Sequence, residues 1–434
     1  MGDYVCRLST VLSLPKVLQE QEARSVGWAL FDQALVSGAN FLSGVLLARY
    51  LGIDGYGFYS LAWMGVLFSN SLQNALIISP MMTIAQKCHE DEISSYFGAV
   101  LLQQLVFTAL SAVLLWVGVH LAAARFPAWP VAPIALPLAM AMIFFQLQDF
   151  IRRYFFALNR MSVAFWNDAI SYLGQVLGLI LCAQLIGLDA VKGFWISALS
   201  SLVAVAFGVP AFGRVVFRWA VYRDVAQRHW HFSKWLTASA VLYWASSNLF
   251  IIVASNRFGP MAAGAIRACQ NIVAVTHVLF QGLSNRVPVT AARIFHRDGF
   301  DSLRKYLWKI TLWGGIVTGL LVLLAAMFPE FWLRLFYGTE YLDYGYLLQW
   351  WTASYFLIYF GVPLTVGLRT LECTRPIFVA YCVMSGFALL LSTPMINYYG
   401  LHGAMAGIFF SQVIFLWVLA SALRMKMKIL FVNQ

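Results

Sequence analysis

Apolar residues in this chain come in long unbroken runs, not in the alternating or every-third-residue stripes of a soluble fold. A helix that crosses a bilayer needs about 20 mostly apolar residues. Runs of that kind lie at 27–50, 57–79, 96–121, 131–156, 162–186, 193–213, 235–256, 263–285, 307–328, 346–368, 377–397 and 402–423. The pattern predicts an all-α, polytopic membrane protein with about 12 transmembrane helices. The second run, which meets Pro80, and the tenth are the least regular.

Composition sharpens the prediction. Of 434 residues, 61% are hydrophobic and 11% charged, whereas a soluble domain carries about 25% charged residues. Too few charges remain for a water-covered surface. Residues 1–26 hold Asp3, Arg7, Lys16, Glu20, Glu22 and Arg24 without a long apolar stretch and cleavage site. They read as an amphipathic segment on the cytoplasmic surface, with the first span acting as the insertion signal. The six cysteines form no C-x-x-C pair and read as small buried hydrophobes. No nucleotide-binding loop, dinucleotide fingerprint, zinc-protease pair or nucleophile elbow occurs. The expectation is therefore no metal, no cofactor and no enzymatic activity.

The net charge of +11 would suit nucleic acid, but its distribution argues otherwise. With the N-terminus in the cytoplasm, 23 of the 29 Lys and Arg residues fall on the inner side, and Arg49, Arg125, Lys192, Arg257, Arg267 and Arg334 remain. That is the positive-inside pattern, with both termini cytoplasmic and no nucleic-acid partner. The basic segment 214–234 lies at the midpoint. It reads as a linker between six-helix bundles at 27–213 and 235–423, followed by a basic tail at 424–434. Weak internal symmetry supports two halves: Gly52 and Gly57 align with Gly259 and Gly264 at a constant offset of 207, and both Gly187-Leu188 and Gly400-Leu401 end a span. Repeats of this kind build transporters with a central site between the halves.

Polar groups in hydrocarbon are costly and face a cavity or one another. In span eight, Arg267, Gln270, Asn271, His277, Gln281, Ser284 and Asn285 fall within an arc of about 140° at 100° per residue. A water-lined cavity explains this stripe, and so does interhelical hydrogen bonding. Span one carries Asp32, Gln33, Ser37, Asn40 and Ser43; span two carries Ser69, Asn70, Ser71, Gln73 and Asn74; span seven carries Ser239, Tyr243, Ser246 and Ser247. The candidate cavity residues are thus Asn40, Arg49, Asn74, Tyr243, Arg267, Gln270, Asn271, His277 and Gln281. Arg49 fits either a snorkelling interfacial cation or the cavity mouth. His277 fits either a neutral hydrogen-bonded ring or a titrating one.

Three acids lie inside spans near the inner face: Asp32, Asp149 and Asp168. Asp149 can reach Arg152 or Arg153 one helical turn on, an anchoring ion pair. Asp32 has no local partner, and both the positive end of its helix and a role in gating suit it. Asp32, Asp149, Arg152, Arg153 and Asp168 are the gating or ion-coupling candidates.

The segment FDQALVSGANFLSGVLLARYLGIDGYGFYSLAW (31–63), with its A-R-x-L-G-x-x-x-[FY]-G turn from Ala48 to Gly57, resembles the opening of polysaccharide flippases of the Wzx type. These belong to the multidrug/oligosaccharidyl-lipid/polysaccharide (MOP) superfamily. FYGTEY at 336–341 and YGLHGAMAG at 399–407 look like later signatures of it. The resemblance implies two six-helix bundles in a V around a central cavity, lined by spans one, two, seven and eight. It implies a polyprenyl-diphosphate-linked oligosaccharide as cargo at a bacterial inner membrane, with membrane lipid, a polysaccharide polymerase and glycosyltransferases as partners. Arg49 and Arg267 would suit the diphosphate, and the halves would rock about 214–234. A cation-coupled multidrug antiporter shares the fold but would favour acids deep in an N-half cavity. A membrane glycosyltransferase, polymerase or ligase would need a larger outer loop than 329–345, whose acids are Glu330, Glu340 and Asp343.

Overall fold

The computed structural model describes residues 16–126, 129 and 131–432. Among them there is no strand, and helices run from Lys16 to Val432. Nine helical segments are long and apolar enough to cross a membrane. Two of these double back over a glycine: Lys16–Gln73 turns at Gly52 (φ 69°, ψ 176°) and Arg375–Val432 at Gly400 (φ 59°, ψ −139°). Span eight adds a further pass. It runs from Pro260–Ala274 through Val275 and Thr276, both still right-handed helical, into the helix beginning at His277. That helix turns into span nine at Gly299 (φ 75°, ψ −169°). The result is the twelve-helix, two-bundle architecture the apolar runs predict.

A left-handed backbone is strained for any residue with a Cβ, so glycine marks these reversals. The aligned pair Gly52 and Gly259 share one conformation, φ 69° with ψ 176° and φ 85° with ψ 178°. Gly187 and Gly400 likewise both have positive φ. The internal repeat read from glycine spacing is therefore a repeat of backbone geometry.

Packing distinguishes the two membrane faces. On the side away from the basic segments, the outer side in the expected orientation, one continuous core joins the halves, with Leu47, Ala48, Ile53 and Tyr56 packed among Ala262, Ala265, Ile266 and Tyr341. On the basic side each half keeps its own core. Met81, Tyr96, Phe150 and Phe155 belong to the first, and Val287, Ala291, Leu303 and Val366 to the second. Large exposed apolar side chains such as Leu114, Leu181, Leu320 and Leu390 ring the bundles, as a lipid-facing surface requires.

Two local features differ from the sequence expectation. Span two does not stay α-helical: Asn74–Ile78 forms a π-turn before Ser79–Ile84. Such bulges are rare and cluster at functional sites. Segment 214–234, read as a linker, is helical from Trp219, where a helix begins that runs to Phe258. The preceding strap is fastened to the first half: Val216 N–H donates to the Ser94 carbonyl at 3.1 Å, and a Cβ on Gly98 would strike the Val216 carbonyl. Farther on, the His229 ring bonds the Tyr96 hydroxyl at 3.0 Å.

Candidate functional site

The C-terminal half encloses a cavity of about 430 Å³. Span seven contributes Tyr243, Ser246 and Ser247; span eight Gln270, Phe280 and Pro288; spans ten to twelve Trp351, Tyr355, Arg369, Tyr381 and Gln412 among others. Among the described residues no Asp or Glu lines it. Aromatic faces, amides and hydroxyls with one arginine make a wall that hydrogen-bonds and stacks on a polar, ring-bearing ligand and offers no counter-charge to a cation. Pro363 sits inside span ten, where a missing backbone donor loosens the helix.

Arg267 stands next to this cavity. Its Nη1 donates to Gln270 Oε1 and its Nη2 to Asn248 Oδ1, each at 2.6 Å. Gln270 lines the cavity, so the guanidinium is held at its edge by two neutral amide oxygens. No carboxylate pairs with Arg267 among the described residues. A half-buried guanidinium satisfied in geometry but not in charge can accept an anion, because charge-assisted bonds to phosphate or carboxylate are about twice as strong as neutral ones.

On the outer side, above Arg267, the halves are sealed. Asn271 Nδ2 donates to the Phe41 carbonyl at 3.1 Å and to the Tyr337 hydroxyl at 3.2 Å. Tyr337 in turn donates to the Ala268 carbonyl at 3.0 Å, and Tyr341 to the Ala48 carbonyl at 3.1 Å. Glu340 Oε1 accepts from Ile53 N–H at 3.2 Å, immediately after the Gly52 turn. A short helix, Pro329–Phe336, and a 3-10 turn, Thr339–Tyr344, bring these side chains in. The FYGTEY signature is thus the part of the outer loop that latches span one to span eight.

The inner half of the N-terminal bundle holds a buried charge cluster. Arg152 on span four reaches Asp32 on span one (Nη2–Oδ2 2.8 Å) and Asp168 on span five (Nε–Oδ2 2.6 Å). The second contact is an ion pair without hydrogen-bond geometry, and Asp32 Oδ1 has no hydrogen-bond partner. Gln148 donates to Asp168 Oδ1 at 2.6 Å, while Asn167 donates to the Ala204 carbonyl at 2.6 Å. Alongside, Asp149 pairs with Arg153 at 3.6 Å and accepts from Asn70 at 3.3 Å. Three carboxylates and two guanidiniums leave the cluster one positive charge short.

The structure sorts the candidates read from sequence. Arg267, Gln270 and Tyr243 gather at the C-half cavity, where Tyr243 meets Tyr381 edge-on with ring centroids 5.5 Å apart. Asn271 is committed to the outer seal. Arg49 and Asn40 are exposed on span one, away from the cavity wall. Asn74 donates to the Asn70 carbonyl and side chain at the start of the π-turn. The side chains of His277, Gln281, Ser284 and Asn285 lie outside the described residues. All five gating candidates meet in the inner cluster, and Asp149 chooses Arg153 because Arg152 is drawn across to Asp32 and Asp168. Trp351, Tyr355, Arg369, Tyr381 and Gln412 were not singled out by the sequence. Their spans carry few polar residues, so only the fold reveals which side of each helix faces the cavity.

A comparison with curated proteins finds no match. The MatE family model matches residues 236–396, most of the C-terminal half. Among solved structures, the chain is similar to an inward-facing multidrug resistance MATE family transporter of the MOP superfamily. The TM-score is 0.75 at 12% identity, over 93% of this chain and 96% of that one. An outward-facing structure of the same description gives 0.63 at 13% identity over 93% and 95%. The lipid II flippase MurJ, in an inward closed conformation, gives 0.69 at 13% identity over 93% and 87%. The chain therefore shares the fold of these MOP-superfamily structures, with a MatE match in its second half.

Proposed function

We propose that the protein is a membrane transporter that flips an anionic, polyprenyl-diphosphate-linked oligosaccharide by alternating access. The observation that carries this reading is Arg267, tied to the amides of Gln270 and Asn248 with no carboxylate, at the edge of an acid-free cavity rich in tyrosine and tryptophan. An anionic head group supplies the missing charge, and sugar rings suit the aromatic and amide walls. The lipid tail stays in the bilayer while the head passes between the halves. Opening the outer side requires breaking the bonds that Asn271, Glu340 and Tyr341 make across to Phe41, Ile53 and Ala48.

The inner cluster is the natural place for coupling. One proton or cation would balance its three carboxylates against Arg152 and Arg153, and span one carries Asp32 while also contributing the Phe41 and Ala48 carbonyls to the outer seal. Ion binding and sealing would therefore share one helix.

The test is flipping of a polyprenyl-diphosphate oligosaccharide in proteoliposomes, comparing the wild type with Arg267→Ala and Arg49→Ala. Flipping by the wild type and at least tenfold loss in Arg267→Ala supports the reading, since a charged bond worth about 1.5–3 kcal/mol disappears. Retained flipping in Arg49→Ala confines the anion site to the C-half. A wild type that extrudes a cationic dye and leaves the oligosaccharide in place would make the protein a drug antiporter.

A further inference from the structure

A second cavity of about 210 Å³ lies at the basic end of the C-terminal half, between spans nine, ten and twelve. It is separated from the polar cavity by span ten and plays no part in the cargo reading. Its wall is almost wholly apolar, with Leu303, Leu307, Leu364 and Leu423 facing one another. The one hydroxyl in the wall, Thr311, already donates to the Leu307 carbonyl at 2.8 Å. Such a space offers water nothing to bind. It exceeds the roughly 150 Å³ apolar cavity that takes up a benzene molecule, so several carbons of a hydrocarbon chain fit.

Two observations indicate what kind of chain. The stretches of chain that include or adjoin the wall residues Leu303, Leu371 and Leu423, at 297–309, 369–375 and 424–426, together carry eight basic and three acidic side chains. Arg304 is itself part of the cavity wall, with Lys305 and Lys309 following on the same helix. Trp308, also in the wall and 68% exposed, marks the headgroup level. We infer that this cavity is a specific site for an anionic phospholipid of the leaflet on the basic side, one acyl chain entering between spans nine, ten and twelve and the phosphate resting on Arg304 and its neighbouring lysines. Basic pockets between transmembrane helices recognise lipids through this combination of charge and apolar depth.

Gly367 supplies the test, because it lies in the wall and a Cβ there would already stand 3.0 Å from Leu307 Cδ1. Purified protein is exchanged into micelles carrying equimolar phosphatidylglycerol and phosphatidylcholine, and retained lipid is read by native mass spectrometry. The wild type should hold one phosphatidylglycerol in preference to phosphatidylcholine. Gly367→Leu should fill the cavity and lose that lipid at least tenfold. Because Gly367→Leu also strains packing, the combination Arg304→Gln, Lys305→Gln and Lys309→Gln serves as a second variant that leaves the cavity intact. It should lower the preference for phosphatidylglycerol by about fivefold for each charge that touches the headgroup. Equal retention of both lipids in the wild type, or a preference unchanged in both variants, overturns the inference. So does displacement of phosphatidylglycerol by an equimolar polyprenyl phosphate, which would make the cavity a cargo-tail site.

Discussion

Gly57 and Gly264 meet back to back across the interface between the halves. A Cβ on Gly57 would strike the carbonyl oxygen of Pro260, and a Cβ on Gly264 would strike that of Ile53. Ile53 and Pro260 are themselves 207 residues apart, like the two glycines, so the contact obeys the internal repeat. Gly57→Ala and Gly264→Ala should each force spans two and eight apart and destabilise the protein by about 1–3 kcal/mol. The check is thermal unfolding in detergent beside Gly118→Ala, where a Cβ meets nothing within 4 Å. Equal melting of all three would show that the crossing yields without cost.

Much of this architecture is legible in the chain, for reasons that differ by feature. Span number follows from run length alone, since the bilayer sets that length. The repeat is visible because Gly52 and Gly259 must both take a backbone that other residues avoid. The inner cluster is half visible: Asp149 and Arg153 share a helix, but Asp32 and Arg152 lie 120 residues apart, and no helical spacing connects them. The seal is least visible, because Tyr337 and Tyr341 bond backbone carbonyls, which any residue supplies. The π-turn at Asn74–Ile78 is invisible to a period of 3.6.

Glu340 holds the seal from the loop side. Its carboxylate caps the helix that restarts at Ile53, where the helix dipole favours an anion. Glu340→Gln should weaken that cap by about 1 kcal/mol, about a fivefold shift toward opening. Cys269 is a native reporter, fully buried on span eight beside Ala268. With the other five cysteines replaced by serine, its labelling by a membrane-impermeant maleimide should accelerate severalfold in Glu340→Gln. An unchanged rate would remove Glu340 from the gate.

Arg152 is the keystone of the inner cluster. Its removal leaves Asp32 and Asp168, 2% and 0% exposed, without their shared cation. Arg152→Ala should cost about 3–5 kcal/mol, as breaking a buried ion pair does. The neutral combination Asp32→Asn, Arg152→Gln and Asp168→Asn should recover most of it, since no buried charge is then uncompensated. Both outcomes are read by denaturant titration in micelles. Wild-type stability in Arg152→Ala would mean that water reaches the cluster freely.

At the proposed cargo site the two amides of Gln270 and Asn248 fix the fork of Arg267. A lysine keeps the charge but cannot reach Gln270 and Asn248 with parallel donors. Arg267→Lys should therefore retain expression and lose about tenfold in flipping rate. Tyr243→Ala, at a half-exposed ring, should lower oligosaccharide affinity with little change in melting temperature. Proteoliposome flipping at several substrate concentrations separates the two effects. Loss of melting temperature in Tyr243→Ala would assign that ring to packing.

The outer seal has a consequence for how such a chain can drift over generations. The acceptors at Phe41, Ala48 and Ala268 are backbone carbonyls, the closest crossing is glycine against peptide, and Glu340 meets an N–H. Few of these contacts constrain the side chain on the other side. A lineage can exchange most residues along spans one, two and eight and still close in the same register. A joint written mainly in main-chain atoms sets few demands on sequence, in keeping with a fold shared at 12–13% identity.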